Sequence, residues 1–457
     1  MQHAEIPIES PITRRSRIFP KKPSGKFHRA RLIVAFFLFS GFFLIPFIKI
    51  NGHPFLLMNF VERKFIILGQ IFWPQDTHLL IFLLLIFFVF VILFTVVFGR
   101  VWCGWACPQT LFMEMIFRKI EYLIEGNAGQ QRKLSEQKWT NEKFFKRTIK
   151  HLLFVLISLT VSFVVLSYVV GIEKTILWLS MKAAMPSFAL LFVFAFALIF
   201  YFVFSVLREY ACTVVCPYGR LQGVLVNKDS IVVAYDRFRG EPRGKIDKKS
   251  PTNHGDCVDC SLCVQVCPTG IDIRNGTQME CVHCTACIDA CDEVMAKIGK
   301  PKGLIRLDSI QGLLGRKRFQ LNARMIAYSF VLMLLMSGFF YLILSRTDTE
   351  TTLVRAIGQL YQELPNGNIS NLYSIQVINK TFTPITVQFR IKNHSGQITR
   401  PDKIDISGQS IAQDVLLIEI PSGDIRQMKT PLQIEIIQNG RVIETVSTNF
   451  LAPVSKL

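Results

Sequence analysis

The sequence predicts a multi-domain membrane protein, in which an α-helical transmembrane bundle of about five spans is joined to a compact cysteine-rich domain and a C-terminal all-β sandwich. Three observations predict this fold class. Five windows are long and apolar, eight cysteines crowd into one short segment, and the last quarter of the chain alternates apolar and polar residues. The three patterns occupy separate parts of the chain, which indicates separate domains.

Composition and charge argue against a nucleic-acid-binding protein. Of the 457 residues, 50% are hydrophobic and 39 are Phe, which is typical of a membrane protein. The formal net charge is +19, and the whole excess lies before Thr347, because the remainder holds equal numbers of basic and acidic residues. No basic module with interleaved aromatic residues is visible, so the charge indicates membrane topology.

The distribution of positive charge predicts how the chain crosses the membrane. Lys and Arg concentrate in residues 1–31, 100–150 and 208–324. These segments should be cytoplasmic, which places the N-terminus inside, the C-terminus outside, and requires an odd number of spans. We therefore expect five spans: Leu32–Ile48, Leu79–Phe98, Leu152–Val170, Phe188–Leu207 and Met325–Leu344.

Domain boundaries follow from these spans. We expect, in chain order, a disordered basic cytosolic arm (1–31), transmembrane helices 1–4 (32–220), a cytosolic domain (221–324, core 250–300), transmembrane helix 5 (325–346) and a periplasmic β-domain (347–457). Residues 55–73 are apolar but interrupted by three adjacent charges, so an interfacial or re-entrant piece is expected there. Residues 118–150 are charged and predict a helical cytosolic connector.

Period-two alternation predicts the β-domain. Residues 385–392 and 432–436 alternate strictly, and Asn439-Gly440 between two such runs is the signal of a type I′ hairpin. At least six short strands from Asn371 onward indicate an immunoglobulin-like sandwich. This part of the chain has no cysteine, so its core must hold without a disulfide. We interpret the domain as a docking or structural module.

Eight cysteines form two runs with the same spacing, C-x₂-C-x₂-C-x₃-C. This spacing is typical of bacterial ferredoxins, which bind two [4Fe-4S] clusters with crossed ligation. We therefore assign cluster A to Cys257, Cys260, Cys263 and Cys291, and cluster B to Cys281, Cys284, Cys287 and Cys267. The fourth Cys of each run is expected to start a helix. Structural zinc sites are the alternative, but they usually pair cysteines across a longer loop.

The remaining four cysteines form two C-x₃-C-P motifs, each directly after a predicted span. The motifs hold Cys103 with Cys107 and Cys212 with Cys216. Positions i and i+4 share one face of a helix, so each pair should present two thiols together before the proline bends or ends the helix. If the two halves pack as an internal repeat, all four thiols meet at the cytoplasmic membrane face.

Three interpretations of these four thiols remain open. They can hold a third iron–sulfur cluster or a soft ion such as Cu(I), they can act as redox-active dithiols, or they can help to pack helix ends. We favour a functional role because the pair is duplicated intact. No His lies inside a predicted span, which disfavours a membrane haem.

Together these motifs resemble the cytochrome c oxidase accessory proteins of the FixG/CcoG type, which are polyferredoxin-like membrane proteins. The resemblance rests on VWCGWACPQT, ACTVVCPYGRLQGV, the loop Ala234–Gly244, the double cysteine run and the β tail. It implies a protein of the bacterial inner membrane that reduces Cu(II) to Cu(I) for assembly of a cbb-type oxidase. The eight cysteines of the double run match the family's cluster ligands. The candidate catalytic residues match its C-x₃-C-P pairs: Cys103, Cys107, Cys212 and Cys216.

Three functional hypotheses follow. The first is an oxidoreductase of the cupric reductase type, with two [4Fe-4S] clusters and either copper or a third cluster at the C-x₃-C-P pairs. The second is a membrane subunit that passes electrons from quinol or ferredoxin to another acceptor, and the third is a non-catalytic scaffold for oxidase assembly. Expected partners are a cbb-type cytochrome c oxidase or its assembly factors, copper ions, membrane lipid, and a ferredoxin, flavoprotein or quinol as electron donor. A homodimer is left open.

Overall fold

The computed structural model describes residues 18–453, apart from 51, 61–63, 68, 74–75, 245–253, 316–321, 357, 359, 366, 401–402 and 426. The chain divides between Phe339 and Phe340 into two compact units. Every cysteine lies in the first unit, and the second is built mainly from strands.

The described helices differ widely in length. In chain order they are α1 (Lys26–Leu44), α2 (Thr77–Phe98), α3 (Val101–Trp105), α4 (Pro108–Leu111), α5 (Arg118–Ile124), α6 (Ala128–Glu136), α7 (Asn141–Val170), α8 (Ile172–Leu179), α9 (Ser187–Phe202), α10 (Pro217–Leu225), α11 (Arg237–Gly240), α12 (Leu262–Gln265), α13 (Ala286–Lys297), α14 (Ile310–Leu313) and α15 (Ala323–Leu344). Wider π-helical turns cover Phe112–Phe117, Val203–Leu207 and Ala211–Val215.

Five helices are long and apolar enough to cross a membrane, which confirms the predicted number of spans. They are α1 with its continuation to Phe47, α2, α7, α9 with its continuation to Leu207, and α15. Helix α7 begins eleven residues before the predicted span, because the Thr140 side chain caps it by accepting a hydrogen bond from the Lys143 N–H at 3.3 Å. The predicted charged connector therefore supplies the first turns of α7.

The segment between the first two spans, expected to be an interfacial or re-entrant piece, forms short strands and no spanning helix. Its strands are β1 (Lys49–Ile50), β2 (His53–Pro54), β3 (Leu56–Asn59), β4 (Lys64–Ile67) and β5 (Gln70–Phe72). Strand β4 pairs with both β3 and β5 in antiparallel register, and Gly69 turns the chain with a φ of 76°. An apolar run too short to span a bilayer must still pair its backbone polar groups, and this meander does so.

The cysteine-rich region is clamped by a two-stranded antiparallel sheet. Strand β6 (Val232–Tyr235) precedes the cysteines and pairs with β7 (Ile305–Asp308), which follows them. The region also holds the start of α1, because the Asp289 carboxylate on α13 accepts hydrogen bonds from the Phe27 N–H at 3.1 Å and the His28 N–H at 2.7 Å. Residues 26–31 of the predicted disordered arm are therefore helical; residues 1–17 lie outside the described residues.

The second unit is a sandwich of two antiparallel sheets, as predicted. Its strands are β8 (Thr349–Arg355), β9 (Gln362–Glu363), β10 (Asn368–Asn379), β11 (Ile385–Ile391), β12 (Gln397–Arg400), β13 (Lys403–Ile406), β14 (Ile411–Pro421), β15 (Lys429–Gln438) and β16 (Arg441–Leu451). One sheet has the order β12-β14-β10-β8, with β9 beside β10, and the other has the order β13-β11-β15-β16.

The core of the sandwich is aliphatic and holds without a disulfide. Val387, Leu416 and Ile436 are among its fully buried side chains. Asn439 and Gly440 join β15 to β16 with φ angles of 49° and 79°. Positive φ at both turn residues is the type I′ geometry predicted from this dipeptide.

Candidate redox site

The two cysteine runs share an unusual backbone conformation. In the first run Asp259 and Ser261 have φ angles of 50° and 57°, and in the second run His283 and Thr285 have φ angles of 53° and 62°. These residues occupy the same two positions relative to the first Cys of each run. Residues other than glycine rarely adopt this region, so its repetition indicates loops shaped to turn successive thiols inward.

The thiols of the two runs line two cavities in a crossed pattern. One cavity is lined by Cys267, Cys281, Cys284 and Cys287. The other is lined by Cys257, Cys260, Cys263 and Cys291. Cys263 borders the first cavity as well, so the cavities adjoin. Each cavity thus combines three cysteines of one run with the fourth of the other, the grouping expected for clusters A and B.

This donor set fits iron–sulfur clusters better than zinc. Among the described residues, no three His, Cys, Asp or Glu side chains converge closely enough to hold a single metal ion. The thiols are spread instead around cavities whose other walls include Val233, Ile273 and Leu304. A cubane requires such an arrangement, because each thiolate binds a different iron.

The fourth cysteine of each run does not start a helix, so that expectation is wrong. Cys267 follows α12, which ends at Gln265, and Cys291 lies inside α13. Both helices begin one residue before the third Cys of the run. The left-handed Ser261 and Thr285 fix this start, because they stand at the N-cap positions of α12 and α13.

Burial makes these thiols weak acids. Desolvation raises the pKa of Cys263 to about 11 and the pKa of Cys281 and Cys291 to about 12. Iron binds the thiolate form, so loading either cavity must release protons.

The loop Ala234–Gly244, which had no predicted chemical role, braces the first cysteine run. The Gly244 N–H donates to the Cys257 carbonyl at 3.2 Å, and the Asp256 N–H donates to the Arg239 carbonyl at 2.9 Å. The Arg239 guanidinium also binds the Asp256 carboxylate. These contacts give this motif a positioning role.

The two C-x₃-C-P motifs have the same backbone geometry. The Cys107 N–H donates to the Trp102 carbonyl at 2.9 Å, and the Cys216 N–H donates to the Ala211 carbonyl at 2.8 Å, so each motif closes a wide turn. Both cysteines are extended, with φ and ψ of −64° and 125° in the first motif and −69° and 114° in the second.

The helical path breaks at each motif, as expected of the proline, but the break falls at the second Cys and the proline begins a new helix. Pro108 opens α4 and Pro217 opens α10. A residue before proline is driven out of the helical region, whereas proline itself is favoured in the first position of a helix. The second Cys therefore lies between two helices, and the two thiols of a motif do not share one regular helix face.

The repeat begins four residues before the first Cys of each motif. Gly99 has φ 55° and ψ −128°, and Arg208 has φ 50° and ψ −122°, so α2 and the continuation of α9 end in the same conformation. A side chain is excluded at Gly99, because an added Cβ would lie 2.9 Å from the His283 ring and from the Ile231 carbonyl. Arg208 is held by Glu121, which accepts two hydrogen bonds of 2.6 and 2.9 Å.

The two motifs lie against each other. Gln222, after the second motif, accepts a hydrogen bond from Arg100 Nε at 2.7 Å, and its Oε1 lies 3.3 Å from Cys103 Sγ. Arg100 Nη2 also donates to the Gly219 carbonyl at 3.0 Å. The Arg100 N–H donates to His283 Nδ1 at 3.0 Å, and burial, with the nearby Arg100 charge, lowers the pKa of His283 to about 3. That imidazole is neutral.

The structure brings the four C-x₃-C-P thiols close enough to influence one another. Burial is the main cause that raises the pKa of Cys103 to about 11 and of Cys212 to about 12. Neighbouring thiols of the same group, including Cys107 and Cys216, add to both shifts. The four thiols therefore lie in one neighbourhood, but among the described residues no three of them converge on a single metal ion.

The first C-x₃-C-P motif packs directly on the second cysteine run. Cys103 and Cys284 belong to one buried apolar cluster together with Val282. Gly104 leaves no room between the two backbones, because an added Cβ would lie 2.5 Å from the Val282 carbonyl oxygen and 2.9 Å from the Cys284 nitrogen. The first motif and the second cysteine run therefore pack backbone to backbone at Gly104.

A buried network of charges adjoins the site, and the sequence analysis missed it. Its cations are Arg118, Lys150 and Arg208, and its anions are Glu114, Glu121, Glu125 and Glu209. Arg118 also donates to the carbonyl of Pro268, next to Cys267, at 3.1 Å. A signal was available, since four of these residues recur at spacings of 4, 3 and 4, which places them on one face of a helix.

Comparisons with known proteins agree with this site. A family model described as a 4Fe-4S dicluster domain matches residues 207–310, and one described as a 4Fe-4S binding domain matches residues 80–127. The first range includes the double run and the second C-x₃-C-P motif, and the second range includes the first motif. A model described as an IG-like fold at the C-terminal of FixG matches residues 339–453.

Full-length relatives decide the family. Protein RdxA of Cereibacter sphaeroides is 34% identical over 383 residues, which cover 80% of each chain, and RdxB of the same organism is 32% identical over 396 residues, which cover 83% of each. The chain belongs to the FixG/RdxA family. The nitrogen fixation protein FixG of Rhizobium meliloti is 33% identical over 300 residues, 64% of this chain and 57% of FixG.

Membership of the FixG/RdxA family agrees with the fold. The crystal structure of a FixG-related protein from Vibrio parahaemolyticus matches 23% of this chain and 97% of its own at 17% identity, but its TM-score of 0.21 is too low to carry an argument. The two 4Fe-4S models, the relatives and the five apolar helices make this protein an iron–sulfur redox protein of a membrane.

Proposed function

We propose that this protein reduces Cu(II) to Cu(I) for the assembly of a cbb-type cytochrome c oxidase. The observation that carries the proposal is the packing of the first C-x₃-C-P motif on the second cysteine run: Cys103 and Cys284 share one buried apolar cluster, and Gly104 lies against the backbone at Cys284. It joins a pair of membrane thiols to a cysteine run of the ferredoxin type through buried atoms. Electron transfer between the two needs no mobile carrier.

Eight cysteines hold the resident clusters in this proposal. Cluster A takes Cys257, Cys260, Cys263 and Cys291, and cluster B takes Cys281, Cys284, Cys287 and Cys267. When bound, the two [4Fe-4S] clusters supply one-electron transfer. The crossed lining of the two adjoining cavities supports this ligand set.

The C-x₃-C-P thiols receive copper as the substrate. Thiolates are soft ligands that suit Cu(I), so binding to thiols of the group Cys103, Cys107, Cys212 and Cys216 favours the reduced ion. Each Cu(II) takes up one electron, and the copper step itself transfers no proton. A third iron–sulfur cluster in this place is the alternative, and the 4Fe-4S model over residues 80–127 supports it.

The proposed location is the bacterial inner membrane, with the N-terminus and the cysteine-rich domain in the cytoplasm and the β-domain in the periplasm. The basic excess before Thr347 and the odd number of apolar helices support this orientation. The β-domain would then offer a surface for the oxidase or its assembly factors.

The double variant Cys212→Ser, Cys216→Ser tests the copper site. Purified anaerobically, reduced with dithionite and desalted, it should reduce Cu(II) about tenfold or more slowly than the unmodified protein, because the soft ligands are lost. Bathocuproine absorbance measures the Cu(I) formed. Val214→Ala, which changes an exposed residue between the two cysteines, is the control and should keep the full rate.

Iron analysis of the same preparations separates copper from a third cluster. About eight irons per chain in both the double variant and the unmodified protein indicates two cubanes and a copper site. A fall from about twelve to about eight in the variant indicates a third cubane at the C-x₃-C-P thiols. An unchanged rate of Cu(II) reduction in the double variant would remove these thiols from the mechanism.

A further inference from the structure

An apolar cavity lies beside the first C-x₃-C-P motif. Its volume is about 300 Å³, at the lower end of the range of sites that bind small organic molecules. Its walls come from α1, α7 and α9, all of which are long enough to span the membrane, and from the segment that starts at Pro108. The cavity is therefore placed to take a ligand from the lipid phase.

Aromatic rings form one wall of this cavity. Phe196, Phe200 and Phe204 stand one turn apart on α9 and its continuation, with centroids separated by 6.0 and 4.5 Å. Phe112 meets Phe200 edge to face, with centroids 5.2 Å apart. Such a wall suits a flat ring, because aromatic groups stack on or against one another at these distances.

Gln109 carries the only polar side chain among the described lining residues. Its Nε2 donates to the Arg208 carbonyl at 3.4 Å, which leaves a second amide hydrogen and the Oε1 atom for a ligand. The Gln109 backbone also hydrogen-bonds the Cys107 thiol. A ring oxygen bound to this amide would therefore sit next to the redox thiols.

We propose that this cavity binds a membrane quinol, which supplies the electrons for the copper reduction proposed for this protein. The inference rests on that function and adds its electron donor. A long-chain quinol combines the three features that the cavity would select: a flat ring, a ring hydroxyl and an apolar tail. A phospholipid acyl chain has only the last.

The reaction balances with copper as the acceptor. One quinol breaks two O–H bonds and gives two electrons and two protons. The electrons reduce two Cu(II) to two Cu(I), the quinol becomes a quinone, and the two protons pass to water.

Two variants test the cavity and one serves as the control. Val165→Phe places a ring inside the cavity, and Gln109→Leu removes the amide at nearly constant volume. Val155→Phe makes the first change on the exposed side of the same helix. The unmodified protein and Val155→Phe should copurify with close to one quinone per chain by solvent extraction and chromatography. Val165→Phe should copurify with little or none.

Reduction by added quinol gives the second measurement. Decylubiquinol or menadiol, added anaerobically without copper, should bleach the visible absorbance of the unmodified protein and of Val155→Phe. Both cavity variants should bleach about tenfold or more slowly, the effect expected from one lost hydrogen bond or a blocked site. Copurified phospholipid without quinone, or equal bleaching of all four proteins, would overturn the inference.

Copper reduction by the dithionite-reduced, desalted proteins separates the two proposals. It should proceed at one rate in the unmodified protein, Val155→Phe and Val165→Phe, because this assay bypasses the cavity. If bleaching by quinol follows the expected pattern but no Cu(I) forms, the quinol site stands and the proposed function fails. If Cu(I) forms and quinol bleaches none of the proteins, the function stands and the quinol site fails.

Discussion

At the scale of single residues, the site depends on two glycines that let backbones approach. Gly99 and Gly104 flank the start of the first C-x₃-C-P motif. A side chain at Gly99 would clash with His283 and the Ile231 carbonyl, and one at Gly104 would clash with the backbone from Val282 to Cys284. The equivalent of Gly99 in the other motif is Arg208, which meets no such obstacle and is secured by Glu121. The sequence showed these glycines, but only the fold shows what they face.

Gly104→Ala should loosen the packing of the first C-x₃-C-P motif against the backbone from Val282 to Cys284. The added methyl group has no space against backbone atoms, so we expect a loss of about 1–3 kcal/mol in the free energy of unfolding. Denaturant titration in detergent measures the loss. The EPR signal of cluster B, which Cys284 is expected to bind, should also change. Gly129→Ala is the control, since nothing lies within 4 Å of its added Cβ, and it should be neutral or stabilising by up to about 1 kcal/mol. Equal stability of the two variants would contradict this account.

At the scale of secondary-structure elements, the sequence predicted what local patterns encode. Apolar length identified all five long helices, and Asn439-Gly440 identified its hairpin. The shared helix face expected for the two thiols of each C-x₃-C-P motif was wrong, because helical periodicity was given more weight than the restriction that proline places on the preceding residue. The strands β3–β5 were missed because their pairing depends on a short apolar run that also fits an interfacial segment.

Long-range partners explain the remaining omissions. The ion pair between Lys150 on α7 and Glu125, at 2.7 Å, joins residues 25 positions apart, and nothing local marks it. The cap that Asp289 provides for α1 joins residues more than 260 positions apart. Spacing within one segment cannot reveal such contacts.

Lys150→Met should destabilise the helical bundle strongly. Lys150 is 1% exposed, and its removal leaves Glu125 buried without this cation, which typically costs about 3–5 kcal/mol. Lys146→Met, one turn earlier on α7, removes an exposed pair with Glu142 and should have no measurable effect. The midpoints of thermal unfolding in detergent provide the comparison. Equal midpoints would show that the network contributes nothing to stability.

At the scale of the whole molecule, cofactor binding and the β-sandwich belong to different units. All twelve cysteines lie before residue 292, and the second unit has its own aliphatic core. Iron should therefore stabilise only the first unit. The linkage follows because clusters bind the folded thiols and not the unfolded chain.

Removal of iron should divide the thermal unfolding of the protein into two separate responses. Anaerobic oxidation with a chelator should lower the calorimetric transition of the first unit by about 10 °C or more. The transition of the β-sandwich should stay where it is. A common shift of both transitions would show that the two units unfold together.

The hydrogen bonds from the first turn of α1 to the Asp289 carboxylate have a consequence for electron transfer through this molecule. One carboxylate accepts hydrogen bonds from two adjacent backbone N–H groups, so the cysteine-rich domain is attached to the first turn of the first apolar helix. An electron-transfer mechanism in which the cysteine-rich domain moves between donor and acceptor is not compatible with this attachment. The distances between the cofactor sites, which set the rate of each electron transfer, are instead fixed when the chain folds.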